Sequence, residues 1–382
     1  MGSLSKFLLI AFEITNELYT ALGAGVLGMV VLLKHGFQNH QCVKTLSVVA
    51  FTAGCWVYIN REHESLKPSK KKVVCITGCD SGLGFSLAQH AVQMGFTVIA
   101  GFLSLDSKGC KEIKQLFGSN IIQIQLDITD SSSVQASVQT LEHFLGRNPG
   151  YSLHAVINNA GVMVFGEFEW LTEKLIQQQL DVNLMGTFKF TNALCPLLRR
   201  YKARVITITS HCAQTTLPGL SVYGATKSAL AAWSDAFRIE MNKYSVDVLT
   251  FIPGSFTTQS NIMARQLQNV QEMHDSFSPE QHSFYSDYFK AFNMYLSFLT
   301  PPPKPVKIDD EPMYRVFERT LLDKYPDVIY KHEPLRYWFY HLLFKISPRH
   351  LRDYFIKKFL QMPEYVPAES KDSEDDIDDI DV

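Results

Sequence analysis

The stretch Val73-Val74-Cys75-Ile76-Thr77-Gly78-Cys79-Asp80-Ser81-Gly82-Leu83-Gly84 decides the fold. An apolar, β-branched run stops at Thr77, three glycines follow within seven residues, and the chain then opens a helical pattern at Phe85-Ser86-Leu87-Ala88. Glycines so placed permit a tight turn, close approach of backbone amides to a pyrophosphate, and close packing of the helix on the strand. The helix N-terminus adds favourable potential for an anion. A glycine trio alone is a weak signal, and its position between a strand and a helix is what gives it weight.

Outward from this turn, short β-rich runs recur at Thr97 to Gly101, Ile121 to Leu126, Ala155 to Asn158, Arg204 to Thr209 and Val246 to Ile252, with amphipathic segments between them. Nearly continuous apolar strands alternating with helices predict a parallel sheet covered on both faces, a doubly wound α/β domain. Ligands of such sheets lie beyond the carboxyl ends of the strands. The residues there are Thr77 and Gly78 after the first run, Asp127 and Ile128 after the third, Asn158-Asn159-Ala160-Gly161 after the fourth, Ser210 after the fifth and Pro253-Gly254 after the sixth. Each alone reads as turn chemistry. Their joint order fits a cofactor stretched along one sheet edge.

Tyr223-Gly-Ala-Thr-Lys227 sets a phenol and an ammonium four residues apart, on one face of a helix continuing through Ser228-Ala229-Leu230-Ala231. An unperturbed tyrosine pKa is about 10, and lowering it by roughly three units needs about 4 kcal/mol of differential interaction. A neighbouring lysine in a partly dry cleft, helped by a cationic cofactor ring, supplies an interaction of that sign. A random Y-x-x-x-K is a surface pair. Here Ser210 ends a strand 13 residues before Tyr223, and Asn183 stands in Asp181-Val182-Asn183-Leu184-Met185-Gly186.

With those residues in hand, the chain resembles the short-chain dehydrogenase/reductase family over about residues 72 to 260, through TGCDSGLG, NNAG, Ser210 with Tyr223-x-x-x-Lys227, and the late Pro-Gly. The resemblance implies a single Rossmann-like domain with seven parallel strands, the seventh near Asp327-Val328-Ile329-Tyr330. It implies Tyr223 as the acid/base toward the substrate oxygen, Ser210 as a hydrogen-bond partner of that oxygen, Lys227 on the nicotinamide ribose and lowering the tyrosine pKa, and Asn183 holding a relay water. For the cofactor it implies Thr77, Gly78, Ser81, Gly82, Leu83 and Gly84 around the phosphates, Asp127 and Ile128 at the adenine, Asn158, Asn159, Ala160 and Gly161 on the adenosine ribose side, and Pro253, Gly254 and Thr257 at the nicotinamide. Within the family the chain is most similar to membrane-associated retinol and hydroxysteroid dehydrogenases, is also close to mitochondrial hydroxybutyrate dehydrogenase, and more weakly resembles a shroud-type insect dehydrogenase of the ecdysteroid pathway. His211-Cys212-Ala213 departs from many relatives, which carry a glycine three residues after the serine. That loop bears on substrate identity more than on reaction type.

Before the first strand lie two uncharged runs, Leu18 to Leu33 and Thr45 to Ile59. As helices each spans little more than about 20 Å, short of a hydrocarbon core of roughly 30 Å, so tight spans, a re-entrant hairpin and an interfacial anchor all fit. Glu13 and the second apolar run favour a retained anchor over a cleaved signal peptide. The organisation expected is an anchor over 1–60, a basic linker over 61–72 with Lys67, Lys70, Lys71 and Lys72, a dehydrogenase domain over 73–330, an aromatic and basic extension over 331–365, and an acidic tail over 366–382. Lys371 to Val382 carries seven acidic residues against one lysine, so the formal charge of −2 leaves the other 370 residues at +4. Endoplasmic reticulum membrane is the expected location, with a mitochondrial membrane as the alternative.

The 382 residues, 46% of them hydrophobic, support a substantial core. Lysines and arginines are scattered, and no nucleic-acid partner is expected. The seven cysteines, at 42, 55, 75, 79, 110, 195 and 212, form no C-x-x-C pair, so neither a disulfide framework nor a metal site is expected. Phe277 to Leu299 and Leu335 to Leu360 are rich in aromatics, the second interleaved with Arg336, Lys345, Arg349, Arg352, Lys357 and Lys358. Such a pattern suits a membrane interface, a lid over an apolar pocket, or helices packed on the core. After the second strand, Phe102-Leu103-Ser104-Leu105-Asp106 offers no cation for a 2′-phosphate, which predicts NAD in preference to NADP. The expected activity is hydride transfer between a nicotinamide cofactor and a hydroxyl or carbonyl of a lipophilic substrate, a steroid such as an ecdysteroid precursor or a retinoid. The alternatives are a hydroxy-acid or fatty-carbonyl dehydrogenase and a membrane-bound cofactor-binding sensor or scaffold. The resemblance adds a homodimer among the implied assemblies.

Overall fold

In the computed structural model the described residues are 49, 52, 64–215, 217–256, 259–297 and 304–366. The chain divides into two units, Met1–Glu64 and Ser65–Val382. The two apolar runs of the expected anchor, apart from Val49 and Thr52, lie outside the described residues, as do the acidic tail beyond Val366 and Thr257. No helix of the described residues is long and apolar enough to cross a membrane.

The second unit carries the predicted alternation. Its elements are β1 (Lys72–Ile76), α1 (Gly82–Gln93), β2 (Thr97–Phe102), α2 (Lys108–Phe117), β3 (Ile121–Gln125), α3 (Ser131–Arg147), β4 (Ser152–Asn158), α4 (Glu173–Gln179), a π-helical turn (Leu180–Gly186), α5 (Thr187–Tyr201), β5 (Arg204–Ile208), α6 (Ser221–Asn242) and β6 (Val248–Ile252). After β6 come α7 (Gln266–Asp275), α8 (Pro279–Leu296), α9 (Glu311–Leu322), β7 (Ile329–Lys331), α10 (Leu335–Ile346) and α11 (Arg349–Leu360). The strands form one sheet in the order β3-β2-β1-β4-β5-β6-β7. Every neighbouring pair is parallel, for example Ile76 opposite Ala100 and Ile157. This is the expected doubly wound, Rossmann-like sheet. The strand order reverses between β1 and β4, which opens a crevice at their carboxyl ends.

Alternation along each strand explains the two-sided cover. In β1, Val74 and Ile76 join Phe85, Leu87, Phe251 and Phe317 in a core under α1, α2 and α9, while Val73 and Cys75 join Leu141, Phe190, Leu194 and Phe237 under α3, α5 and α6. Successive strand side chains point to opposite faces, so a strand apolar at every position is one buried on both. Burial of a large aliphatic or aromatic side chain contributes about 1.5–3 kcal/mol, and each face holds many. Arg204, 4% exposed at the start of β5, donates to the carbonyl of Thr320 at 2.9 Å and to that of Asp323, closing the far end of the sheet against α9.

A third apolar cluster lies beyond the carboxyl edge. Trp170, 1% exposed, is ringed by Tyr285, Tyr288, Phe289 and Phe292 of α8 at 4.8–5.6 Å between ring centres. The first turn of α8 is set by a reciprocal capping box between Ser278 and Gln281 with Pro279 at its start. On α10 and α11, Phe344, Ile356 and Phe359 are buried against each other, with Leu217 packed on them. The aromatic extension therefore packs as helices, and part of it walls the pocket described next.

Candidate active site

The glycine turn is built by close contacts that exclude side chains. A Cβ on Gly84 would lie 2.2 Å from the Gly78 carbonyl oxygen and 2.3 Å from Asn159 Nδ2, and one on Gly78, whose φ is +71°, would lie 2.8 Å from Ala160 Cα. Thr77 ties the two strand ends together, its hydroxyl accepting from the amides of Asn159 at 3.0 Å and Ala160 at 2.9 Å. The Asn159 carboxamide donates to the carbonyls of Thr77 and Gly78 at 2.8 and 3.1 Å. Ser81 precedes α1 without a side-chain cap, and the first turn of α1 holds no acid. The helix thus presents unsatisfied amides and positive potential to the crevice, the two features a pyrophosphate requires.

Above this turn a cavity of about 1310 Å³ runs along the carboxyl edge of the sheet. Typical ligand pockets hold about 300–1,000 Å³, so the space suits a dinucleotide and a second molecule together. Of the cofactor residues expected from sequence, Gly78, Ser81, Gly82, Leu83, Gly84, Asp127, Ile128, Asn159, Ala160, Gly161, Pro253 and Gly254 line it. Thr77 and Asn158 stand behind the wall. Asn158 is 5% exposed and donates to Thr191 Oγ1 on α5 at 2.8 Å. The Asp127 carboxylate accepts from the amide and hydroxyl of Thr129 at 2.9 and 2.6 Å.

Ser210, Tyr223 and Lys227 come together on the wall of the same cavity. Ser210 sits two residues past β5, its Oγ accepting from the amide of Cys212 at 3.1 Å, which starts a short helical turn over His211–Ala213. Tyr223 and Lys227 lie on one face of α6, 7% and 4% exposed, with Lys227 Nζ 5.9 Å from the centre of the Tyr223 ring. Lys227 Nζ donates to the Ile208 carbonyl at 2.9 Å. Burial lowers the lysine pKa to about 8. Burial also pushes the Tyr223 phenol above its ordinary value, assisted by Cys212 and opposed by a hydrogen bond with Ser210. In the chain without cofactor the shift is therefore upward, because loss of solvent disfavours the phenolate; the lowering expected from sequence also counts the positive charge of an oxidised nicotinamide.

Asn183 occupies the π-helical turn and is fully buried behind the wall. Its carboxamide oxygen accepts from the Val162 amide at 2.8 Å, and its nitrogen donates to the Val162 carbonyl at 2.9 Å and to Thr226 Oγ1 at 3.1 Å. Three of its four side-chain hydrogen bonds go to protein, so Asn183 clamps the loop after β4 to α6.

Asp80 is legible in the sequence as an acid in the glycine loop, but its contacts are not, and the residues closing the far end of the cavity are not placed by the sequence. Asp80 bridges the glycine turn to the segment after β2, accepting from the amides of Leu103 at 2.8 Å and Ser104 at 3.4 Å. At the other end, the cavity is closed by Leu217, Tyr295, Arg336, Tyr337, His341 and Phe359, brought from three separate stretches of chain. The aromatic and basic spacing at 335–360 was their one signal, and it did not say which side chains turn inward.

Comparison with known proteins agrees with this arrangement. The family model for short chain dehydrogenases matches residues 72–269. Mouse D-beta-hydroxybutyrate dehydrogenase is 38% identical over 193 residues, 50% of this chain and 56% of its own length, so the chain spans little more than half of that relative. Mouse estradiol 17-beta-dehydrogenase 2 is 30% identical over 85% of both chains. Mouse retinol dehydrogenase 7 is 31% identical over 62% of this chain and 73% of its own. The matched span runs from β1 through the glycine turn and the Tyr223 helix to α7, and on that ground the chain belongs to the short-chain dehydrogenase family.

Proposed function

We propose that this chain is an NAD-preferring oxidoreductase acting on a hydroxyl or carbonyl of a lipophilic substrate, with a steroid or retinoid the favoured class. The observation that carries this is the convergence of Ser210, Tyr223 and Lys227 on a cavity whose other end is the glycine turn. When bound, a nicotinamide cofactor supplies the hydride acceptor or donor. Its phosphates suit the free amides at the start of α1, its adenosine the edge formed by Asp127, Ile128 and Asn159 to Gly161, and its nicotinamide end Pro253 and Gly254.

In the oxidative direction Tyr223, as the phenolate that Lys227 and the charge of a bound oxidised nicotinamide would stabilise, takes the proton from the substrate hydroxyl and passes it to solvent; in reduction the phenol gives its proton to the substrate oxygen. Ser210 hydrogen-bonds that oxygen and orients it. Lys227, held by the Ile208 carbonyl, keeps an ammonium close enough to stabilise the phenolate. The distal wall supports a bulky apolar substrate, since Leu217, Leu220, Leu296 and Phe359 face the cavity there. The relatives named for estradiol and retinol extend along much more of the chain than a short catalytic motif, which supports the same class.

Residues 1–60 are read as an endoplasmic reticulum anchor for the catalytic unit at 73–330, with 331–365 as the wall of its substrate pocket. The exposed Leu335, Phe339, Ile346, Leu351 and Tyr354 of α10 and α11, set among basic residues, suit a membrane surface beside that wall. A dimer is part of the reading. Incubating the full chain in detergent with NAD and, in parallel, sterols, retinol and 3-hydroxybutyrate tests the function. Growth of NADH absorbance with a sterol or retinol supports it; turnover of hydroxybutyrate alone replaces the substrate class, and turnover of none rejects the enzyme.

A further inference from the structure

Beside Ser210, where His211 and His341 line the cavity, three side chains from distant parts of the chain converge. His211 follows Ser210 directly, Glu333 lies between β7 and α10, and His341 is on α10. The Glu333 Oε1 is 3.2 Å from His211 Nδ1 and 3.0 Å from His341 Nδ1, and the side chains of Glu333, His211 and His341 are only 4%, 7% and 14% exposed. One ligand atom from each lies within 4.8 Å of the others.

The two histidines meet the carboxylate differently. His341 Nδ1 is in hydrogen-bonding geometry with Oε1. Neither ring nitrogen of His211 has a hydrogen-bond partner among the described residues, although Nδ1 is within reach of the carboxylate. At 3.2 Å, a nitrogen whose ring-plane direction misses the oxygen is poorly explained as one half of an ion pair. The spacing is close to that of two ligands on one tetrahedral ion, where bonds of about 2.0–2.2 Å set neighbouring ligand atoms roughly 3.3–3.5 Å apart.

We propose that His211, Glu333 and His341 form a binding site for a divalent transition ion of the zinc type. Two imidazoles and a carboxylate match that ion's donor preference, and the fourth position opens to the cavity, which His211 and His341 both line. The ion joins the loop carrying Ser210 to α10, so its binding fixes the distal wall of the pocket. No cysteine enters the site, so C-x-x-C spacing carries no trace of it. The ligands are 122 residues apart between His211 and Glu333, a separation at which sequence shows no motif. The site does not depend on the dehydrogenase reading.

The test uses the full chain without a polyhistidine tag, stripped with a chelator and dialysed against Zn²⁺ or Co²⁺. About one zinc per chain is expected by elemental analysis, with a rise in melting temperature and, for cobalt, the intense visible bands of a tetrahedral N/O site. His341→Ala is expected to lose the metal, the bands and the thermal shift together, while His350→Ala, outside the cluster, keeps all three. If His341→Ala does not fold, Glu333→Gln and the cobalt spectrum of the unmodified chain decide. Absence of tetrahedral cobalt bands in the unmodified chain, or equal metal uptake by the chain and its cluster variants, overturns the proposal.

Discussion

Lys227 Nζ and the centre of the Tyr223 ring lie 5.9 Å apart in a wall where both side chains are more than nine-tenths buried. Burial holds the lysine at a pKa of about 8, against an ordinary value of 10.5. A base whose folded pKa is depressed binds fewer protons when folded than when unfolded between those two values, so folding pays a penalty below the lower one that fades as pH rises through the upper. Lys227→Met is therefore expected to abolish turnover and yet stabilise the free protein, by up to about 3 kcal/mol at neutral pH. The gain shrinks between pH 8 and 10.5. Thermal melts at pH 7 and pH 10 check both the sign and the trend; a destabilised variant at pH 7 would show that the bond to the Ile208 carbonyl outweighs the buried charge.

Tyr223→Phe removes the proposed proton acceptor and leaves the packing of α6 intact, since the ring is retained. Turnover should fall by roughly 10² to 10⁴-fold, the usual contribution of a placed acid/base. NAD affinity, read by quenching of protein fluorescence, should stay within about threefold because the glycine turn is untouched. Substantial residual turnover assigns the proton transfer elsewhere.

At Gly84 a methyl group has nowhere to go, with the Gly78 carbonyl oxygen 2.2 Å from an added Cβ. Overpacking of this kind typically costs 1–3 kcal/mol. Gly84→Ala is expected to lose about that much in urea unfolding and to bind NAD more weakly, because relief of the clash moves the turn that faces the phosphates. An unchanged unfolding midpoint would mean that the turn yields freely.

Asp80 accepts from the amides of Leu103 and Ser104, which places a carboxylate at the segment after β2. A 2′-phosphate near it meets like charge, and loss of one charge-assisted contact costs about 1.5–3 kcal/mol, roughly ten-fold or more in affinity. Titration of both oxidised cofactors should favour NAD by at least that factor, and Asp80→Asn should narrow the ratio. Equal affinity for the two in the unmodified chain would show that a cation such as Lys108 or Lys111 reaches the ribose.

Membrane attachment through residues 1–60 is part of the proposed function. Carbonate extraction should leave the full chain in the pellet and release a chain starting at Arg61 more readily, with the exposed apolar side chains of α10 and α11 giving the latter a salt-resistant residual affinity for vesicles. Full-length protein in the supernatant refutes the anchor.

The sheet and the order of its strand ends are legible in local patterns of the chain. Alternating apolar runs and helical patterns are local signals, and Thr77 to Gly84, Ser210 and the Tyr223–Lys227 pair are each contained within one turn or one helix face. The seventh strand, expected near Asp327 to Tyr330, forms at Ile329–Lys331 beside β6. Tertiary structure alone decided which of these polar residues face the cavity. Thr77, Asn158 and Asn183 turn away because backbone amides and hydroxyls from other elements compete for their side chains, and a buried polar group goes where its hydrogen bonds are satisfied. It also decided the sign of the Tyr223 shift, since desolvation depends on everything packed around the phenol. The distal wall and the convergence of His211, Glu333 and His341 depend on where α10 lands after more than a hundred residues of intervening chain, and no local spacing encodes that placement.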